Sequence, residues 1–104
     1  MLITAMNDVP GYIISEVYGE VFGLAIRYHH LFHSIESEGP EGMNKSLVAF
    51  RQEAQDRLMK AAEAKGANAV IAFRFDSSDF AGYVTEICAS GTAVTVEKKH
   101  RSAP

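Results

Sequence analysis

The sequence predicts an α+β subunit, with one long helix packed on one face of a mainly antiparallel sheet, and three observations lead there. Over residues 12–27 large and small side chains alternate with a period of two. Over residues 45–65 apolar side chains recur at steps of three and four, and from residue 69 to 96 the two-residue alternation returns. The order strand, long strand, loop, helix, strand, long strand is that of a helix laid on one side of an antiparallel sheet. The 104 residues suit one domain over 1–104, with residues 97–104 expected as a flexible tail.

Leu2, Ile3 and Thr4 read as a short strand, stopped by the turn residues Asn7, Asp8, Pro10 and Gly11. In the long strand that follows, the even positions Tyr12, Ile14, Tyr18, Phe22, Leu24 and Ile26 are bulky, interrupted by Glu16 and Glu20. The odd positions Ser15, Gly19, Gly23 and Ala25 are small, so one face is a shallow trough that lets another element approach the backbone. Residues 28–44 read as irregular, with one or two helical turns over 30–36 and a break at Gly39, Pro40 and Gly42.

The helix follows. Leu47, Phe50, Ala54, Leu58 and Ala61 form its apolar stripe, Asn44 is its expected N-cap, and Gly66 the residue that ends it. Its alanines leave little bulk, and the trough of the first long strand is the natural surface for it. Residues 69–76 read as a strand with Ala69, Ile71, Phe73 and Phe75 on one face and Val70, Ala72, Arg74 and Asp76 on the other. Residues 77–82 read as a hairpin connection, and 83–96 as a second long strand bending at Gly91.

Composition excludes several classes. No stretch approaches the ~20 consecutive apolar residues of a membrane span, and the first residues lack a basic region and turn polar by Asn7, so no secretory signal is expected. Cys88 is alone, which rules out an intrachain disulfide and points to a reducing, cytoplasmic setting, with Cys88 read as a buried strand residue. Ten basic and thirteen acidic side chains give a net charge of −3. Lys98, Lys99, His100 and Arg101 are the only basic cluster, and no aromatic-basic surface continues it, so no nucleic-acid partner is expected.

Three groups of residues could carry chemistry. His29, His30 and His33 crowd into five positions; on a helix His29 and His33 would lie one turn apart, and Glu36 could complete a three-ligand set for a divalent transition metal such as zinc or nickel. The competing reading is a polar loop whose histidines bind water. Glu16, Glu20 and Glu86 could act as acid and base, but such residues more often sit on a wet sheet face or pair with an arginine such as Arg27 or Arg74 across an interface. Tyr12, Tyr18, Phe22, Phe80 and Tyr83 supply aromatic area, read as a contact between subunits rather than a pocket. Ser90-Gly91-Thr92 lacks the strand-turn-helix setting of a nucleophile, and Gly19 and Gly23 lack the third glycine of a dinucleotide fingerprint; both read as structural, a strand bend and a packing device.

Taken in order, Gly11-Tyr12-Ile13-Ile14, Gly19-Glu20-Val21-Phe22-Gly23, Lys65-Gly66-Ala67-Asn68-Ala69-Val70-Ile71, Phe73-Arg74-Phe75-Asp76 and Ser90-Gly91-Thr92-Ala93-Val94 resemble the YbjQ-like family, a prokaryotic group often labelled heavy-metal-binding. The resemblance covers about residues 2 to 97. It implies a subunit like those of dodecin-type folds, assembled into a ring, with a homopentamer expected. It implies no activity. Between residues 28 and 44 the chain departs from the family, which has an Arg/Asp-containing segment ending in Gly-Gly-Arg-Ser or similar where this chain is His-rich. The expectation is therefore a small oligomeric protein, not an enzyme, that binds a metal ion or small ligand. An enzyme with its site at subunit boundaries and a purely structural oligomer are the alternatives.

Overall fold

A computed structural model describes residues 1–28, 31–80 and 84–99. Four strands and one helix follow in the order β1 (Leu2–Ile3), β2 (Tyr12–Tyr28), α1 (Leu31–Ala64), β3 (Ala69–Phe80) and β4 (Val84–Lys98). The sheet order is β1-β3-β4-β2, antiparallel between β3, β4 and β2, while the two-residue β1 lies parallel to β3. The α+β class and the single helix on one face are as the sequence predicts.

The trough in β2 receives the helix. Val21, Gly23 and Ala25 face α1, and Phe50, Ala54, Leu58 and Ala62 come down on them with Ile87, Ala89 and Ala93 of β4 beneath. The predicted stripe holds in its middle. At its ends Ala62 is fully buried while Leu47 is 49% exposed, at the rim of a groove between α1 and the β3–β4 hairpin. Gly66 ends α1 with φ of 92°. Its N–H donates to Glu63 O at 2.9 Å and that of Ala67 to Ala62 O at 3.1 Å, the two bonds of a Schellman cap.

Asn68 then fixes the return to the sheet. Its side-chain amide donates to Val96 O at 3.0 Å and its Oδ1 accepts from Val96 N at 2.8 Å, so the side chain pairs with β4 as a strand residue would.

The helix is longer than predicted. It starts at Leu31 rather than after Asn44 and runs through Gly39, Pro40 and Gly42. A proline inside a helix removes one ladder hydrogen bond and crowds the carbonyl four residues before it, at about 3 kcal/mol, which is why the sequence reads as a break there. β3 also runs on to Phe80, through the serines and Asp79 expected in a hairpin, with Asp79 paired to Thr85 and Phe80 to Val84. Glu97 and Lys98, expected in the tail, pair with Ile13 and Tyr12. Residues 100–104 lie outside the described residues.

Bulges change which side chains share a face. β2 slips twice against β4, with Ser15 and Tyr18 as the extra residues, and Gly19 follows at φ of 101° with open space around it. Gly19 therefore serves the irregular backbone and not the packing; only Gly23 is a packing device. In β3 the register slips between Ile71 and Arg74, where Ala72 takes φ of 51°. Ala69 and Ile71 consequently face away from the helix, while Phe73 and Phe75 pack against the helix-side core; the four do not share a face as expected. Gly91 stands opposite this bulge. A Cβ there would lie 2.4 Å from Val70 Cγ1 and 3.0 Å from Ile71 O, so Gly91 is a close-approach site.

Candidate functional site

The side of the sheet away from α1 is covered at one end only. There Ala69, Ile71, Val94 and Val96 are buried together with Ile14 beneath the loop residue Val9. The loop is held by Met6 O and Thr4 O, which accept from Ala72 N at 2.8 Å and Phe73 N at 3.0 Å. Beyond this small core the face is open. Successive rows across β3, β4 and β2 place Arg74, Ser90 and Phe22 together, then Asp76, Cys88 and Leu24, then Ser78, Glu86 and Ile26. Phe22, Leu24 and Ile26 are 53%, 44% and 46% exposed, one contiguous apolar stripe along an edge strand.

The polar groups of this face are partly satisfied. Arg74 Nε lies 3.6 Å from Asp76 Oδ2 and donates to Ser90 Oγ at 3.3 Å. Glu20 and Glu86 have no cationic partner among the described residues. Cys88 is half-buried here rather than buried, since no element covers it. Burial, reinforced by the carboxylates of Glu86, Asp76 and Glu20 and only partly opposed by Arg74, pushes its thiol above the usual value. A thiol kept protonated is a poor nucleophile and a poor metal ligand.

At the rim of β2 a second network ties strand to helix. Glu53 of α1 pairs with Arg27, and with Arg57 at 2.8 Å; Arg57 Nη1 also donates to the Leu24 carbonyl at 2.5 Å, and Arg27 lies over the Phe50 ring. Arg27 and Arg74 are thus engaged by Glu53 and Asp76, not by Glu16, Glu20 or Glu86. Glu16 instead accepts from the Tyr18 hydroxyl at 3.1 Å, and Tyr18 meets the Thr95 hydroxyl at 2.8 Å. The three glutamates are not brought together as an acid–base pair.

On the helix side a groove of about 490 Å³ lies between α1 and the far end of the β3–β4 hairpin, lined by Leu47, Val48, Arg51, Phe75, Asp79 and Ile87 among others. The Arg51 guanidinium sits 5.5 Å from the Phe75 ring centre, and no carboxylate pairs with it among the described residues. Asp79 accepts from the Thr85 hydroxyl at 2.7 Å. The groove is not visible in the sequence, where Leu47 reads as core and 77–79 as part of a hairpin connection.

Of the predicted metal set, His29 lies outside the described residues, as do the side chains of His33 and Glu36; in the backbone these two are three residues apart on α1. Phe80's side chain and Tyr83 also lie outside them. Among the described residues no group of three or more His, Cys, Asp or Glu is placed to hold a metal ion. No described helix is long and apolar enough to cross a membrane.

These features define a two-layer α+β protein whose sheet carries a single helix and whose other face is open at one end. A family model described as "Putative heavy-metal-binding" matches residues 1–97, and the chain belongs to this family. A UPF0145 protein of Streptomyces coelicolor is 44% identical over 106 residues, covering 95% of this chain and all of that one. A UPF0145 protein of Lactococcus lactis is 46% identical over 105 residues, covering 94% and 96%. The crystal structure of a protein of unknown function from Pediococcus pentosaceus, assigned to the DUF74 family, shares the fold, with a TM-score of 0.68 at 16% identity over 93% of this chain and 98% of that one. The family is therefore the one the resemblance implied, and the α+β class agrees with it.

Proposed function

We propose that the protein is a non-enzymatic, cytoplasmic homo-oligomer, a ring of five, that binds a small ligand or metal ion within the assembly. The open stripe of Phe22, Leu24 and Ile26 carries this reading. Two measures of shape support it. The Cα radius of gyration is 17.4 Å, against about 13 Å for a compact domain of this length. The accessible surface is 7275 Å², against about 5,800 Å² for a monomer of this mass, and the excess is of the size that a stable interface removes.

Face packing is favoured over strand addition on β2. Arg57 already engages the Leu24 carbonyl, which an added strand would need. Sedimentation of the wild type against Leu24→Asp tests the reading. The wild type sediments as a discrete assembly and the variant, folded by circular dichroism, as a monomer; equal sedimentation of both contradicts it.

Metal binding by His29, His33 and Glu36 is the specific ligand reading, favoured by the family description and by α1 spanning positions 33 and 36. Zinc or nickel retained by the wild type in ring stoichiometry, and lost in the His29→Ala/His33→Ala variant, supports it. Equal retention by both removes it.

A further inference from the structure

We infer that the groove between α1 and the far end of the β3–β4 hairpin is a binding site for a small dipolar molecule, one with a carboxylate and a cationic group at the two ends of an apolar chain. This rests on the small-ligand reading above and adds where the ligand lies and what class it belongs to. The groove measures about 490 Å³, within the range of about 300–1,000 Å³ of small-molecule sites, which join apolar walls to a few polar groups. Leu47 and Val48 of α1 form one wall here, and Phe75 and Ile87 lie across from them on the sheet.

The groove carries one charge of each sign, well separated. The Arg51 guanidinium sits 5.5 Å from the Phe75 ring centre and has no carboxylate partner among the described residues. An arginine resting on an aromatic face is held in place while its N–H edge stays free to fork onto a carboxylate. Four positions further along β3, Asp79 faces the same side as Phe75 and Ser77, because the register opposite Ala89, Ile87 and Thr85 is unbroken. The Thr85 hydroxyl donates to Asp79 Oδ1 at 2.7 Å, which orients the carboxylate, and no cationic side chain pairs with Asp79 among the described residues. Asp76 also borders the groove, but strand alternation turns it to the open face, where its carboxylate lies 3.6 Å from Arg74 Nε. Phe75 and Asp79 are about 13 Å apart along the strand. The adjacent charges of an α-amino acid are too close together to span that distance. An apolar spacer of several carbons crosses it over Ile87.

The test is calorimetric titration of the full-length protein with 6-aminohexanoate, beside hexanoate, hexylamine and glycine, which lack the ammonium, the carboxylate and the spacer in turn. One 6-aminohexanoate per chain is expected, bound at least roughly tenfold more tightly than any of the other three. Arg51→Met and Asp79→Asn are each expected to weaken it by a similar factor. Both positions are exposed, so the variants fold, and Asp79→Asn keeps an acceptor for Thr85. Hexanoate should bind Asp79→Asn as it binds the wild type, and hexylamine should do the same with Arg51→Met. No saturable uptake of 6-aminohexanoate, equal binding of all four probes, or binding untouched by either substitution overturns the assignment. A wild type that assembles, or retains zinc or nickel, yet takes up no 6-aminohexanoate removes this site and leaves the oligomer and metal readings standing. A monomer that binds the probe one to one removes the assembly and leaves this site.

Discussion

The Cα of Gly23 lies directly beneath the backbone of Ala54: a methyl group on it would sit 2.0 Å from the Ala54 carbonyl oxygen and 2.4 Å from Leu58 N. The atoms in the way are helix backbone, which cannot rotate aside as a side chain can. Gly23→Ala must therefore lift α1 from β2 and open the core around Leu58. A loss of about 3 kcal/mol or more in urea unfolding is expected; an unchanged midpoint would mean that the helix does not rest on this residue.

Ala72 tests the bulge that turns Phe73 and Phe75 toward the helix. Its φ of 51° is one that glycine adopts freely and β-branched residues avoid. Relief of strain in Ala72→Gly is offset by the greater freedom of the unfolded chain, so stability should change by less than about 1 kcal/mol. Ala72→Val should cost about 2 kcal/mol. Equal effects of the two substitutions, measured by thermal unfolding, would argue for a regular strand here.

Cys88 gives a pH dependence with a definite sign. Its thiol is held above the usual value by burial and by Glu86, Asp76 and Glu20, so at alkaline pH the unfolded chain releases this proton while the folded chain keeps it. The contribution is complete below the ordinary thiol value of 9.0 and is lost as pH rises from there through the raised folded value. The wild type should lose stability relative to Cys88→Ala only as pH rises above 9.0, with no difference in slope near neutrality, and alkylation of the native thiol should be slow at neutral pH. A difference between the two proteins that stays flat with pH would exclude the raised value.

Glu53 bridges Arg27 and Arg57 while Arg57 holds the Leu24 carbonyl. Glu53→Gln keeps the shape and removes the charge, leaving two guanidiniums close together. These groups are partly exposed, so solvent screens the effect and a loss of about 1 kcal/mol is expected, shrinking as salt is added. Insensitivity to salt would show that the network is not electrostatic.

The parts of this fold that were legible in the sequence are those where one residue type answers one local demand. Gly23 and Ala25 announce the close helix, Gly66 the helix end, and the return of alternation at Ala69 the strand. The facing of β3 was not legible, because its bulge falls on Ala72 with no glycine to mark it. The helix start was hidden by Gly39, Pro40 and Gly42, which read as a break, and the end of β3 by polar residues that stand on an exposed stretch of strand rather than in a turn. The candidate surfaces were half legible. The bulky even face of β2 is visible in the alternation of Phe22, Leu24 and Ile26, but Arg51 became notable only once the groove beside Phe75 was formed by elements distant in sequence.

Native mass spectrometry of the purified wild-type protein bears most directly on the association of copies through the open sheet face. A single closed assembly of five chains of 11.4 kDa is the expected result, with any retained ligand or metal visible as added mass. A spectrum containing only the 11.4 kDa chain would contradict it.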